Sequence, residues 1–189
     1  GHGGDLVQKE VFSDNVRLIE QSEQLGTGHA VAQVLPYLSK DSTILVLYGD
    51  VPLVKTETLA ELVRNSESAL SLLTVHLEEP KGYGRIVRDI HGSVVRIVEE
   101  KDASPDEKQI TEVNTGILAL SSSALNKYCA KLENDNVQGE YYLTDIVAAA
   151  YRANLSIGIS IGNDPNEFVG INSREQLDAV ERMLSENRV

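Results

Sequence analysis

The sequence predicts an α/β fold organised around a doubly wound sheet. In the first half of the chain, short apolar runs alternate with segments of helical period, the strand–helix–strand–helix order typical of such sheets. The apolar run that begins at Thr43 is almost uninterrupted and ends in Gly49-Asp50. Such a run suits a strand buried on both faces inside a parallel sheet, so we expect a mixed but mostly parallel sheet.

The elements of the first half follow from caps, periodicity and helix breakers. Asp5 is a plausible cap for the first helix, Pro36 lies near the end of the second, and Thr56 begins the third. The predicted order is helix 5–12, strand 16–20, loop 21–28, helix 29–38, the Thr43 strand, helix 56–65 and strand 69–77.

The second half differs, because three apolar runs follow one another without long helices between them. His91-Gly92 lies between the first two and is a tight-turn signal. Thr144 is the expected cap of a later helix, and Val180 and Leu184 lie on the predicted core-facing side of the last one. The predicted order is strands 82–89, 93–99 and 110–121, helices 122–132 and 144–153, strand 155–161 and helix 173–187.

The composition indicates one globular, soluble domain. The chain has 189 residues, 24% of them charged and 41% hydrophobic, and no apolar run is long enough to span a membrane. Its 29 acidic and 17 basic residues give a net charge of −12, which should repel nucleic acid and anionic membranes. The single cysteine, Cys129, fits a reducing compartment, so we expect a cytoplasmic protein.

Asp50 is the first candidate functional residue. Ligands bind at the carboxyl ends of strands in open α/β sheets, and Asp50 directly follows the Thr43 strand. Its carboxylate is a hard oxygen ligand for Mg²⁺, and Gly49 lets the backbone approach a ligand closely. A plain strand followed by a Gly-Asp turn explains the same pattern equally well.

Three further segments have both a functional and a structural explanation. The loop from Gln21 to Thr27 suits contact with a phosphate or a base edge, although a plain loop with a Thr cap is favoured. Glu99 can accept hydrogen bonds from sugar hydroxyls, but it lies in a charge run, which favours a solvated face. Asn114 interrupts an apolar strand, and a ligand-reading and a structural role are equally favoured.

The remaining candidates flank strands and helices. Glycines at 82 and 84 precede a strand, which indicates either close backbone approach to a ligand or a bulge. Arg85 suits a phosphate partner or a surface salt bridge. Glu140 precedes a helix and is free to meet a ligand, whereas Asn172 either caps the last helix or offers its side-chain oxygen to a metal.

Seven short motifs occur in order along the chain. They are Gln-Leu-Gly-Thr-Gly-His-Ala, Leu-Tyr-Gly-Asp-Val-Pro-Leu, Gly-Tyr-Gly-Arg-Ile, Val-Glu-Glu-Lys-Asp-Ala, Val-Asn-Thr-Gly-Ile, Gln-Gly-Glu-Tyr-Tyr-Leu-Thr-Asp and Gly-Ile-Asn-Ser-Arg-Glu-Gln-Leu. In this order and spacing they closely resemble the uridyltransferase domain of the bacterial bifunctional N-acetylglucosamine-1-phosphate uridyltransferase/glucosamine-1-phosphate acetyltransferases. The resemblance covers almost the whole chain. Hexose-1-phosphate thymidylyl- and guanylyltransferases share that fold but not this set of motifs.

The resemblance implies a Rossmann-like nucleotidyltransferase fold and a role for each matching residue. The nucleotide-binding positions match Gln21, Gly26, Thr27, Tyr48, Gly49 and Asp50. The sugar-binding positions match Gly84, Glu99, Asn114, Glu140 and Tyr141. The two protein ligands of Mg²⁺ match Asp50 and Asn172, and Glu100 stands where the family often has a His.

The resemblance also implies a reaction and a domain boundary. UTP and N-acetylglucosamine-1-phosphate would give UDP-N-acetylglucosamine and pyrophosphate, for cell-wall and lipopolysaccharide precursors. We expect residues 1–189 to be a partial domain, without the family's first strand, its Gly-rich loop with Arg and Lys, and the acetyltransferase β-helix. The family's homotrimer is expected only of the full-length enzyme, and the isolated chain should turn over little.

Two alternatives remain open from the sequence. One is a non-catalytic member of the fold that binds a nucleotide sugar or regulates a partner. The other is a related hexose-1-phosphate nucleotidyltransferase that uses a different base or sugar.

Overall fold

The computed structural model describes residues 3–11, 13, 15–65, 69–171 and 173–186. The helices are α1 (Gly4–Glu10), α2 (Thr27–Val34), α3 (Thr56–Arg64), α4 (Ser122–Cys129), α5 (Asp145–Arg152) and α6 (Arg174–Glu186). The strands are β1 (Thr43–Val46), β2 (Leu70–His76), β3 (Arg85–Arg88), β4 (Val94–Val98), β5 (Glu112–Ser121) and β6 (Ile157–Ile161). Short 3₁₀ turns occupy Leu35–Tyr37, Glu107–Gln109 and Pro165–Phe168.

These elements confirm the α/β class and most predicted segments. The predicted turn at His91-Gly92 joins β3 to β4, where the Asp89 amide donates to the Ser93 carbonyl at 2.9 Å. Phe12 and Asn187, at the predicted ends of the first and last helices, lie outside the described residues.

The six strands form one mixed sheet in the order β4-β3-β5-β2-β6, with β1 also paired to β5. Of the five pairings between described strands, β2 with β6 is parallel and the other four are antiparallel. The mixed sheet is therefore confirmed, but the prediction of a mostly parallel one is wrong. Short connections such as the β3–β4 turn can join only antiparallel neighbours, whereas a parallel pair needs a long crossover.

The strand β5 lies at the centre of this sheet and positions the cleft described below. Along one edge it pairs with β2, from Glu112 to Leu120. Along the other edge its C-terminal part pairs with β1 and its Val113 pairs with β3. Residues 114–117 lie between those two pairings, so β1 and β3 separate from each other at this point.

The prediction that the Thr43 strand is buried on both faces is wrong. Among the described strands β1 pairs only with β5, and its residues are half-buried or exposed. Ile44 and Val46 contact one core and Leu45 the other, so the run is apolar because both faces meet apolar side chains. An apolar run records such contacts and does not reveal whether a strand lies at the centre of a sheet or at its edge.

Two apolar cores cover the two faces of the sheet. The larger contains buried residues of α4 and α5, with Val31 of α2 packed against it. The smaller contains Leu62 of α3 and Phe168. Cys129 lies in the larger core, and burial raises the pKa of its thiol to about 11.

Two other expectations are corrected. Residues 16–20 form no regular structure, and Val16 and Leu18 are each 45% exposed, because no described strand pairs with them. In α6, Val180 is buried as predicted, but Leu184 is 46% exposed. None of the described helices is long and apolar enough to cross a membrane.

Candidate functional site

An open cleft of about 440 Å³ lies where β1 and β3 separate along β5. Five predicted site residues from four separate parts of the chain line it together, and they are Tyr48, Asp50, Gly84, Glu99 and Asn114. Other lining residues include the loop 81–83 and segment 168–170. The sheet therefore brings together residues that the sequence separates widely.

The side chain of Asn114 presents an unused acceptor at this cleft. Its Oδ1 is buried and has no hydrogen-bond partner among the described residues. The backbone amide of Asn114 donates to the Gly84 carbonyl at 2.8 Å, which ties β5 to the segment that precedes β3. Buried polar atoms normally have a hydrogen-bond partner, so a ligand with a hydroxyl or amide donor would provide the partner that Asn114 Oδ1 lacks.

Glu99 is held in a fixed position at the end of β4. The Thr144 hydroxyl donates to Glu99 Oε1 at 2.8 Å. Burial raises the pKa of the Glu99 carboxyl, the Thr144 hydrogen bond opposes that rise, and the charges of Asp145 and Asp102 add to it. Thr144 stands at the expected start of α5, but its backbone is already helical and its side chain makes no cap bond, while its hydroxyl donates to Glu99.

Gly84 fits closely against Glu99. A Cβ added at Gly84 would lie 2.9 Å from Ile97 Cγ2 and 3.4 Å from Glu99 Oε2. The absent side chain therefore leaves room for the carboxylate and for a ligand beside it.

The Tyr48 ring is seated on Gly116 of β5. Gly116 has a φ of 82°, and a Cβ there would overlap the Tyr48 ring. Burial raises the pKa of the Tyr48 hydroxyl, the charge of Glu99 adds to the rise, and a hydrogen bond with Thr27 opposes it. A glycine inside a strand pattern indicates close approach, and this signal could have added Gly116 to the predicted site.

The predicted nucleotide loop lies beside the cleft and is joined to the 140–143 segment. The Gly28 amide donates to the Tyr141 carbonyl at 2.7 Å, and the Leu143 amide donates to Thr27 Oγ1 at 3.0 Å. A Cβ at Gly26 would lie 2.7 Å from the Tyr141 carbonyl oxygen. Of the predicted site residues that the structure describes, those outside the cleft lining are Gln21, Gly26, Thr27, Gly49, Glu140 and Tyr141.

Gln21 is oriented by its own loop. Its Nε2 donates to the Gly26 carbonyl at 3.1 Å and lies 3.1 Å from His29 Nδ1. The amide nitrogen is thus committed to the loop, which leaves the side-chain carbonyl oxygen as the group that a base edge would meet. The contact of Thr27 with Tyr48 connects this loop to the cleft.

Comparison with known proteins identifies the family. A sequence model described as nucleotidyl transferase matches residues 5–159. The chain belongs to the nucleotidyl transferase family. A protein of Saccharophagus degradans named "Bifunctional protein GlmU" is 52% identical over 185 residues, which are 97% of this chain and 41% of that protein.

Other relatives of this nucleotidyl transferase carry the same name. The protein of Pseudomonas putida is 52% identical over 183 residues, 96% of this chain and 40% of that protein. The protein of Methylococcus capsulatus is 50% identical over 184 residues, 97% of this chain and 40% of that protein. The chain thus spans about two fifths of the length of the relatives it matches.

The nucleotidyl transferase presents Asp50 as its one described candidate ligand for Mg²⁺. Asp50 is exposed at the edge of the cleft, and its carbonyl accepts a hydrogen bond from the Ile171 amide at 2.8 Å. Asn172, the second predicted ligand, lies outside the described residues. Within the described ranges no group of three or more His, Cys, Asp or Glu side chains surrounds a common metal position. A single carboxylate still fits Mg²⁺, which keeps several waters and takes further oxygens from substrate phosphates.

The structure also corrects the prediction for Arg85. This side chain is neither a phosphate partner in the cleft nor part of a surface salt bridge, since the residue is 1% exposed and its Nη2 pairs with Glu100 Oε2 at 2.8 Å. The β3 register turns Arg85 into the protein, and its partner, Glu100, lies just beyond the end of β4.

Proposed function

We propose that this domain transfers UMP from UTP to N-acetylglucosamine-1-phosphate, giving UDP-N-acetylglucosamine and pyrophosphate, for cell-wall and lipopolysaccharide precursors. The observation that carries the proposal is the cleft itself. It is lined by an exposed carboxylate that suits Mg²⁺, by a half-buried carboxylate, and by an amide oxygen that has no partner among the described residues. The similarity to the GlmU proteins and the family match support the same function.

The proposed mechanism is positioning with charge neutralisation. Glu99 accepts hydrogen bonds from sugar hydroxyls, and Asn114 Oδ1 accepts one from the amide of the N-acetyl group. The Gln21 to Thr27 loop holds the base, while Tyr48 supports the boundary between base and sugar. A phosphate oxygen of the sugar phosphate then attacks the α-phosphorus of UTP in line, and the bond to pyrophosphate breaks.

Asp50 and Asn172 are the proposed protein ligands of Mg²⁺, which neutralises phosphate charge when bound. Glu140 and Tyr141 remain proposed sugar-side residues, whose backbone is held against the nucleotide loop. The cytoplasmic location and the homotrimer of the full-length enzyme also belong to this proposal.

Binding of a nucleotide sugar without turnover is the second candidate function. Of the described residues that line the cleft, Lys81 is the only basic one, whereas a triphosphate is usually held by several cations. This observation favours a site that binds UDP-N-acetylglucosamine more readily than it processes UTP in the 189-residue chain.

Calorimetry with UDP-N-acetylglucosamine, with and without Mg²⁺, tests the shared basis of both functions. We expect saturable binding that Mg²⁺ strengthens, and weaker binding of UDP-glucose because it has no amide for Asn114. Absence of binding to the purified chain would contradict both functions.

Release of pyrophosphate from UTP and N-acetylglucosamine-1-phosphate then separates the two. We expect the isolated chain to show little turnover even if it binds the product. Competition with dTTP, GTP and glucose-1-phosphate checks the base and sugar, since stronger inhibition by any of these would favour a related hexose-1-phosphate enzyme.

A further inference from the structure

The loop 81–84 forms one wall of the cleft. All four of its residues line the cleft, and they connect β2 to β3 without regular structure. Gly82 has a φ of 92°, a backbone conformation that glycine adopts without strain. The path of this loop therefore determines the shape of the wall and the position of Lys81.

Glu100 binds this loop directly at Gly82 and indirectly through Arg85, the first residue of β3. Its Oε2 accepts a hydrogen bond from the Gly82 amide at 3.1 Å and another from Arg85 Nη2 at 2.8 Å. Arg85 Nη1 in turn donates to the Tyr83 carbonyl. The carboxylate and the guanidinium together hold both halves of the loop.

Arg85 depends strongly on this arrangement. The residue is 1% exposed, and its Nε has no hydrogen-bond partner among the described residues. A buried cation is tolerated when it is paired, and Glu100 is the partner that the structure records. Hydrogen bonds from Gly82 and Arg85 lower the pKa of the Glu100 carboxyl, so it stays ionised throughout the neutral range.

We propose that Glu100 is a positioning residue, which acts through Arg85 to hold the loop 81–84 in the shape that receives the anionic ligand. The two adjacent residues after β4 thus have different roles. Glu99 faces the cleft, whereas Glu100 holds the loop 81–84 that forms one wall of it. The held loop presents Lys81, the only basic side chain among the described lining residues. The effect on ligand binding rests on the proposed function, whereas the effect on the loop does not.

Limited digestion with trypsin tests the loop directly, because the Lys81–Gly82 bond is a tryptic site whose Gly82 amide Glu100 holds. Cleavage there requires local opening, so its rate reports that opening. We expect Glu100→Ala to raise the rate at Lys81 more than about tenfold relative to the rate at Lys127 in α4. Glu100→Gln keeps an oxygen that accepts a hydrogen bond from the Gly82 amide. Its relative cleavage rate at Lys81 should therefore lie between those of the wild type and Glu100→Ala.

Lys127 distinguishes local from global opening. If the cleavage rate of Glu100→Ala rises equally at Lys81 and Lys127, the whole domain is unfolding in that variant. The ratio of the two rates in Glu100→Gln is then compared with that of the wild type. An unchanged ratio of the two rates in both variants would overturn the proposal.

A double variant separates the position of the loop from stability. Arg85→Met with Glu100→Met removes the buried cation together with its partner, and such replacements often restore stability. We expect a melting temperature near that of the wild type, but preferential cleavage at Lys81 and roughly fivefold weaker binding of UDP-N-acetylglucosamine. The single variant Glu100→Gln should bind UDP-N-acetylglucosamine more tightly than the double variant does.

The outcomes separate the two proposals. If the wild-type chain does not bind UDP-N-acetylglucosamine, the proposed function fails, while the cleavage ratio still decides the role of Glu100 in the loop. Native affinity and native cleavage in the stable double variant would contradict the positioning role.

Discussion

Two carboxylates that line the cleft differ in how much protein supports them. Glu99 is half-buried, bonded to Thr144 and packed beside Gly84. Asp50 is exposed beyond a strand that pairs only with β5 among the described strands. The surroundings of Glu99 are organised before any ligand arrives, whereas those of Asp50 would be completed by the metal and phosphate proposed above. Substitutions among the contacts that support the cleft should therefore change stability, and substitution of Asp50 should change ligand binding alone.

The largest effect on stability is expected from Gly116→Ala. Alanine at a φ of 82° costs about 1–2 kcal/mol, and displacement of the Tyr48 ring adds to this. Urea unfolding should show a loss of about 2–4 kcal/mol.

Gly49→Ala is the matched control for Gly116. A Cβ at Gly49 would meet no atom of the described residues within 4 Å, so the free energy of unfolding should change by less than about 0.5 kcal/mol. Equal losses in the two variants would contradict the seating of Tyr48 on Gly116.

Thr144→Val should lower stability by about 1–2 kcal/mol at pH 7, because the ionised Glu99 carboxylate loses its hydrogen-bond donor. The pKa of Glu99 is raised in the folded state, so the folded state holds this proton more readily than the unfolded state does. The stability that the raised pKa of Glu99 contributes is fully present below the ordinary pKa of Glu, and it is lost as the pH rises through the raised pKa.

This sign predicts a pH dependence that checks the Thr144 contact. The variant raises the pKa of Glu99 further, so its loss of stability should be larger at about pH 7 than at about pH 4. Thr144→Ser keeps the hydroxyl and should behave like the wild type. A loss independent of pH would assign Thr144 to packing and not to Glu99.

Asn114→Ala should change stability by less than about 1 kcal/mol, because Oδ1 has no partner among the described residues to lose. Calorimetry should instead show about tenfold weaker binding of UDP-N-acetylglucosamine, equivalent to one hydrogen bond. The contrasting variant is Thr115→Val, whose hydroxyl donates to the Leu73 carbonyl at 2.7 Å. It should lose stability and change affinity less, and the reverse result would reassign Asn114 to the fold.

Asp50→Ala should have the smallest effect on stability, within about 0.5 kcal/mol, since the residue is exposed. The difference in ligand affinity with and without Mg²⁺ should disappear in calorimetry. A Mg²⁺ dependence equal to that of the wild type would remove Asp50 from the metal site.

Local patterns predicted the elements well and their mutual arrangement less well. Helix α3 and strands β2 to β5 lie where periodicity and turn signals predicted them, because those signals depend on neighbouring residues. The Thr43 strand was wrongly predicted to be a buried strand of a parallel sheet, since an apolar run does not indicate which strands lie beside it. Cap chemistry likewise predicted a side-chain cap at Thr144, but this residue has a helical backbone, makes no cap bond and donates its hydroxyl to Glu99.

The sequence by itself determined the α/β class, most of the elements and the candidate residues, including Asp50, Glu99 and Asn114. Only the tertiary structure decided the direction of the strand pairings and the contacts that support the cleft. Thr144 meets Glu99 across 45 residues, and Arg85 meets Glu100 across 15. Such contacts depend on how strands pair and how helices pack on the sheet, non-local properties that the spacing of residues along the chain does not encode.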